Sequence, residues 1–267
     1  MGPRIMGILN VTPDSFSDGG EWFDFGEAVE HGRALVAEGA DILDVGGEST
    51  RPGAAPTALD EELRRVVPVV SALRDVDAQL SVDTMKLAVA EAAIEAGATF
   101  VNDVTAFRHD PGIAGLVADR GCDCCLMHAL GEPRTMQKDP RYGDVVDDVR
   151  AFLEERVRFA VGEGVREERI VLDPGIGFGK TLDHNLELLR RLDEIVAIGF
   201  PVVVGTSRKS VLGRLTGRDD PHDRVAATLA TTVLALERGA EIFRVHDVAP
   251  TKDALAVATA TLRADGA

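Results

Sequence analysis

One pattern recurs eight times along this chain and leaves few folds open to it: a short β-branched run, a polar or glycine-rich turn, then a helical stretch with one apolar stripe. The runs fall at 5–9, 41–45, 79–83, 99–104, 123–128, 169–173, 201–206 and 241–246. Each is short, apolar on both faces and rich in Val, Ile and Leu, as parallel strands are when helices cover both sides of their sheet. Eight β-then-α units predict an α/β fold of the (β/α)8, or TIM, barrel kind. A doubly wound open sheet is the alternative, because counting units does not reveal closure. The length of 267 residues suits such a barrel, and no linker or low-complexity stretch divides it, so 1–267 reads as a single domain.

Local signals add detail. In 59–73, Leu59, Leu63, Val66, Val67, Val70 and Leu73 share one helical face. Thr57 with Asp60 predicts a capping box at its start, and Pro68 predicts a kink within it. Gly39, Gly97 and Gly239 each precede a strand and are expected to end a helix.

Whole-chain quantities exclude several functions. A formal net charge of −16 argues against nucleic acid as a partner, since phosphates demand a basic surface. It also means that an anionic substrate must be captured by a few local basic groups and a metal, against an unfavourable overall field. The longest apolar stretches, such as Val202-Val203-Val204, fall well short of the roughly 20 residues a membrane span needs. Residues 1–9 lack the basic and apolar regions of a secretion signal. Cys122, Cys124 and Cys125 are too crowded for a zinc knuckle and read as reduced core thiols of a cytosolic protein.

The strands finish in residues that a purely structural barrel would not need: Asn10, the 46–53 loop, Asp83, Asn102 with Asp103, His128, Asp173, Ser207 to Lys209, and Arg244 with His246. In a (β/α)8 barrel all of these converge on the C-terminal mouth, where such enzymes place their chemistry. Any one alone would pass as a helix cap or turn group; their position at nearly every strand end carries the inference. Carboxylates such as Asp83 and Asp173 suit the parallel N–H donors of a planar, guanidine-like ring edge, and Asn102 can both donate and accept there. Lys209, Arg51, Arg244 and His246 suit phosphate oxygens. Asn10 offers a neutral oxygen to Mg²⁺, an ion that usually keeps waters and bridges phosphates. Together these describe a site for a heterocycle carrying a diphosphate leaving group.

Two loops, Thr12-Pro13-Asp14-Ser15-Phe16-Ser17-Asp18-Gly19-Gly20 and Glu48-Ser49-Thr50-Arg51-Pro52-Gly53, are composed like segments that close over a substrate and exclude water. The run from Gly175 to Thr181 imitates a phosphate-binding P-loop, but the pattern requires glycine where Pro174 stands. Its expected role is to let Phe178 pack against a flat ligand.

Taken in order, these motifs resemble the bacterial dihydropteroate synthases. The stretch from Met6 to Gly20 is similar to their first signature and Asp44 to Gly53 to the second. Ser81-Val82-Asp83-Thr84, Asn102-Asp103-Val104, Leu172 to Phe178, Ser207-Arg208-Lys209 and Arg244-Val245-His246-Asp247 continue the resemblance over nearly the whole chain. It implies a transferase that joins a dihydropterin diphosphate to 4-aminobenzoate and releases pyrophosphate by an SN1-like step. Asp83, Asn102, Asp173 and Lys209 would hold the pterin in a slot shaped by Met127, Gly205 and Phe178. Asn10, Arg244 and His246 would take the diphosphate, with Mg²⁺ at Asn10. Phe16, Thr50, Arg51, Pro52 and Ser207 would form the aminobenzoate pocket. Lys209, Asp83, Asp173, Arg51 and Asp18 would carry the chemistry. The resemblance also implies a homodimer and sensitivity to sulfonamides.

The chain departs from the family pattern at Thr105-Ala106-Phe107 and at Ala129-Leu130-Gly131, which leaves the shape of those two loops open. Two rivals remain at this point. A corrinoid-dependent pterin methyltransferase module should lack both loop signatures and the Ser-Arg-Lys run. A catalytically silent paralogue would bind without turnover, which the intact Asn10, Arg51, Lys209 and Arg244 argue against.

Overall fold

The computed structural model describes residues 2–12, 25–49, 53–131 and 135–262. All eight expected strands are present: Arg4–Asn10 (β1), Ile42–Gly46 (β2), Gln79–Asp83 (β3), Phe100–Asp103 (β4), Asp123–Met127 (β5), Ile170–Asp173 (β6), Val203–Val204 (β7) and Ile242–Val245 (β8). Every pairing is parallel, in the order β6-β5-β4-β3-β2-β1-β8-β7. A parallel bridge between Leu172 and Val202 joins the two ends and makes the sheet a ring rather than an open sheet.

The helices described between and after the strands are Phe25–Glu38 (α1), Leu59–Leu73 (α2), Leu87–Ala96 (α3), Gly112–Arg120 (α4), Val145–Gly162 (α5), Leu182–Arg190 (α6), Leu192–Val196 (α7), Ser210–Thr216 (α8), Val225–Glu237 (α9) and Val248–Leu262 (α10). Gly39, Gly97 and Gly239 take the positive φ that ends α1, α3 and α9, as expected. Among the described residues, no helix is long and apolar enough to cross a membrane.

Two local expectations are corrected. The α2 helix takes Ala58 as its N-cap without a side-chain bond, so Thr57 and Asp60 form no capping box. The helix starts one residue later than the motif requires, and the Thr57 carbonyl is held by the Lys86 ammonium at 2.7 Å. The helix contains Pro68 within its span. The seventh strand is much shorter than the 201–206 run, because Gly205, Thr206 and Ser207 leave the ladder for the mouth.

Alternation along the strands divides the side chains into two cores. The larger lies between sheet and helices and includes Leu9, Leu43, Val45, Val101, Cys124 and Leu172. A smaller cluster of Met6, Ile42, Phe100, Cys125, Val171, Val203 and Ile242 forms an apolar plate across the barrel interior. The neighbours Cys124 and Cys125 thus point opposite ways, both buried and free of disulfides. Below the plate, Arg4, Gln79, Asp123 and Arg169 form a polar chain with links of 2.6, 2.7 and 2.9 Å. Above it lies the polar layer that builds the candidate site.

Candidate active site

The layer above the plate is organised by a residue that strand-end reasoning passed over. Asp44, in the middle of β2, is 0 % exposed. Its carboxylate accepts from Ser81 Oγ at 2.6 Å, from Asn102 Nδ2 at 2.9 Å and from Arg244 Nε at 2.6 Å. Register explains the convergence, since Asp44 pairs with Ser81 and Asp83 pairs with Asn102 on adjoining strands. Arg244 also donates from Nη2 to Asp83 Oδ2 at 2.7 Å, so one guanidinium joins two buried carboxylates. Its side chain stays 20 % exposed, with an edge toward the mouth.

Electrostatics at this layer follow from burial. Desolvation pushes Asp83 up to about 7, against the pull of Arg244 and with the help of Asp44. Asp173 is raised as well, again chiefly by burial, while Lys209 draws it back. Burial lowers Lys209 to about 8, with Asp173 opposing and Arg244 reinforcing the shift. The acids and cations therefore sit within one another's field at one mouth of the barrel.

The flat slot is recognisable beside them. Val104, Met127 and Ala129 form an apolar cluster with Phe178 packed on it. Lys209 Nζ lies 4.7 Å from the centre of the Phe178 ring and donates to Ile176 O at 2.5 Å. A Cβ at Gly205 would stand 3.9 Å from that ammonium and 3.7 Å from Arg244 Cβ, which places the residue beside both side chains. Ser207 Oγ and His246 Nδ1 are 3.0 Å apart, and the His246 amide donates to Ser207 Oγ at 3.1 Å. Asn10 ends β1 in register with Gly46, on the interior side that Met6 occupies further down the strand. Phe16, Asp18, Thr50, Arg51 and Pro52 lie outside the described residues.

Some of the strand-end polar residues serve the scaffold. Asp103 accepts from Thr105 N at 2.7 Å and from Phe107 N at 2.8 Å, and so builds the turn in which Ala106 and Phe107 take φ of 52° and 63°. His128 is buried against Phe152 and meets the Lys180 ammonium at 2.9 Å. Arg208 turns away to pair with Asp247. Glu48 and Glu62 both bind the Lys86 ammonium, which fastens the base of the 46–53 loop. The sequence marked none of Asp44, Glu62, Lys86 and Lys180 as site residues. The available signal for Asp44 was a carboxylate inside an otherwise apolar strand.

Lys180 points inward to backbone carbonyls, so the 175–181 run is no P-loop. Gly175 has φ +67° and a Cβ there would lie 1.8 Å from His128 O. Its amide also donates to Asp173 Oδ1 at 2.7 Å, which fixes that carboxylate. Gly175→Ala is therefore expected to cost at least about 3 kcal/mol, from the clash and the left-handed backbone together. Urea unfolding checks this, and a variant within about 1 kcal/mol of the parent would contradict the geometry.

Comparisons with known proteins show what this chain is similar to. The sequence profile of the family described as "Pterin binding enzyme" matches residues 6–246. The chain is 46% identical over 263 residues to the dihydropteroate synthase of Escherichia coli, covering 98% of this chain and 93% of that protein. It is 49% identical over 260 residues to a probable bifunctional folylpolyglutamate synthase/dihydropteroate synthase of Haloferax volcanii, covering 97% of this chain but 31% of that longer protein. The solved structure of Xanthomonas albilineans dihydropteroate synthase with 4-aminobenzoic acid superposes with a TM-score of 0.92 at 49% identity, covering 98% of this chain and 93% of that one.

Proposed function

Because the chain belongs to the pterin-binding enzyme family, and within it to the dihydropteroate synthases, we infer that it transfers the dihydropterin-methyl group from 6-hydroxymethyl-7,8-dihydropterin diphosphate to 4-aminobenzoate, forming 7,8-dihydropteroate and pyrophosphate. The observation that carries the reading is the juxtaposition at one mouth of buried acids, Asp83 and Asp173, with cations, Arg244 and Lys209.

In this reading Asp83 and Asp173 accept the N–H donors of the pterin edge, and Asn102 completes the pairing. Met127, Gly205 and Phe178 bound the slot, and Lys209 sits at its rim. Asn10, Arg244 and His246 take the diphosphate. Among the described residues no group of three His, Cys, Asp or Glu could cage a metal. A lone amide oxygen instead fits Mg²⁺ shared with phosphate oxygens and water. Asn10 would hold that ion, and the chemistry it supplies when bound is neutralisation of the leaving group.

The C–O bond to the diphosphate breaks first, with both electrons leaving on pyrophosphate. The carboxylates stabilise the pterin methylene cation, with Asp18 a further contributor. The aniline nitrogen captures that cation and releases its proton to solvent, so no strong general base is required. Phe16, Thr50, Arg51, Pro52 and Ser207 orient the aminobenzoate, and Arg51 with Lys209 supplies positive charge beside the reacting groups. The chain acts as one domain and pairs as a homodimer through barrel helices, which sedimentation checks.

A coupled assay of pyrophosphate release tests the reaction. Turnover should require the pterin diphosphate, 4-aminobenzoate and Mg²⁺ together and should be inhibited by sulfonamides, which mimic aminobenzoate. Saturable pterin binding with no release would sink the proposal.

A pH profile follows from the same groups. Protonated Asp83 cannot accept two N–H donors, so kcat/KM for the pterin diphosphate should fall as pH drops below about 7. Neutral Lys209 loses its charge, so it should fall again above about 8. A profile flat from about pH 6 to 9 would contradict both roles.

A further inference from the structure

The loop after β6 has an unusual hydrogen-bonding record. Loop carbonyls normally face water, yet five in succession here accept from side chains. Gly175 O takes Lys180 Nζ at 2.9 Å, and Ile176 O takes Lys209 Nζ at 2.5 Å. Gly177 O takes Gln137 Nε2 at 2.6 Å, Phe178 O takes Lys180 Nζ at 3.0 Å, and Gly179 O takes Tyr142 Oη at 2.7 Å. Gln137 and Tyr142 reach across from the segment between β5 and α5, outside the ring.

Lys180 is the centre of this arrangement. It is 3 % exposed, and among the described residues its ammonium has no salt-bridge partner. Burying an ammonium without a counter-ion is costly, and an apolar side chain would be cheaper if filling space were all that was needed. The charge is repaid by dipoles: the carbonyls of Gly175 and Phe178, that of His128 at 3.4 Å, and His128 Nδ1 at 2.9 Å. Burial and the adjacent ammonium hold His128 neutral, so Nδ1 accepts and the ring proton sits on Nε2.

We propose that Lys180, with Gln137 and Tyr142, is a positioning set that holds the backbone of residues 175–179 in the shape that presents Phe178 and Lys209 to the pterin. The inference rests on the reading that these two residues bound the pterin slot. Lys180 touches no reacting atom. It acts through the carbonyl of Gly175, next to Ile176, whose own carbonyl holds Lys209, and through that of Phe178, whose ring lies under the Lys209 ammonium. Asp173 is tied in by Gly175 N, so one loop conformation sets an acid, a ring and a cation together. Burial lowers the Lys180 ammonium to about 7, with Asp173 opposing and Lys209 reinforcing the shift.

The test compares Lys180→Met, Gln137→Ala and Tyr142→Phe with Phe178→Ala, reading affinity for the pterin diphosphate by calorimetry in folded protein, well below each thermal midpoint. A merely structural lysine would lower the midpoint and leave the affinity of the folded molecules alone. A positioning role instead weakens binding about tenfold or more in Lys180→Met, and about threefold in each of the other two, because small misplacements are costly at a preorganised site. Gln137 is exposed and Tyr142 loses only a hydroxyl, so these two decide the matter if Lys180→Met does not fold. Affinity lost in Phe178→Ala but retained in all three others overturns this inference alone. Affinity retained in Phe178→Ala as well overturns the reading of the slot and this inference with it.

Discussion

Arg244→Met is expected to destabilise the protein by about 3–5 kcal/mol, the range for removing one partner from a buried ion pair. The guanidinium joins Asp44 and Asp83, which are 0 % and 7 % exposed. Methionine fills much the same volume but leaves two neighbouring carboxylates with no cation between them. Asp44→Asn should cost less. Its remaining oxygen can still serve Arg244 and Asn102, and its amide can donate to Ser81 Oγ, so only the charge is lost. The deficit of Arg244→Met should shrink in acid. Asp83 is already raised by burial and would rise further without its cation, so the folded state would hold a proton that the unfolded state has released. Stability then increases as pH falls through the folded pKa toward the unfolded one. Urea unfolding at neutral and mildly acidic pH measures both effects, and a loss below about 1 kcal/mol would mean that the guanidinium does not bind these acids.

Lys209→Met is the second large effect, and it separates activity from stability. Loss of a preorganised cation beside developing charge should lower kcat/KM by about 10²–10³. Folding stability should stay level or rise, because burial works against the ammonium, as the fall of its pKa to about 8 records. Steady-state kinetics and thermal unfolding of the same preparation decide. A variant that loses stability and activity in parallel would make Lys209 a scaffold residue.

These residues also mark how far sequence reasoning reaches. The eight strands were legible because buried parallel strands are apolar throughout, and the mouth was legible because polar residues interrupt them at one end. Asp44 escaped that logic: it lies two residues below the tip of β2, inside the barrel, where a rule about strand ends does not look. Lys180 was not legible, since nothing local in Gly179-Lys180-Thr181 tells an ammonium aimed outward at phosphate from one turned back on its own loop. The predicted capping box is absent because the helix begins after Ala58, and the Thr57 carbonyl is held by a distant donor, Lys86. Short-range signals were reliable where no distant partner intervened.

The bridge between Leu172 and Val202 has a consequence for how substrate and scaffold depend on each other. Like a cask with one loose stave, the barrel is most lightly hooped where β6 meets the two-residue β7. Asp173 stands on one margin of that gap and Gly205 with Lys209 on the other. A rigid ring seated between them would lash the margins together, so amides of 202–206 should exchange with solvent more slowly once the pterin is bound.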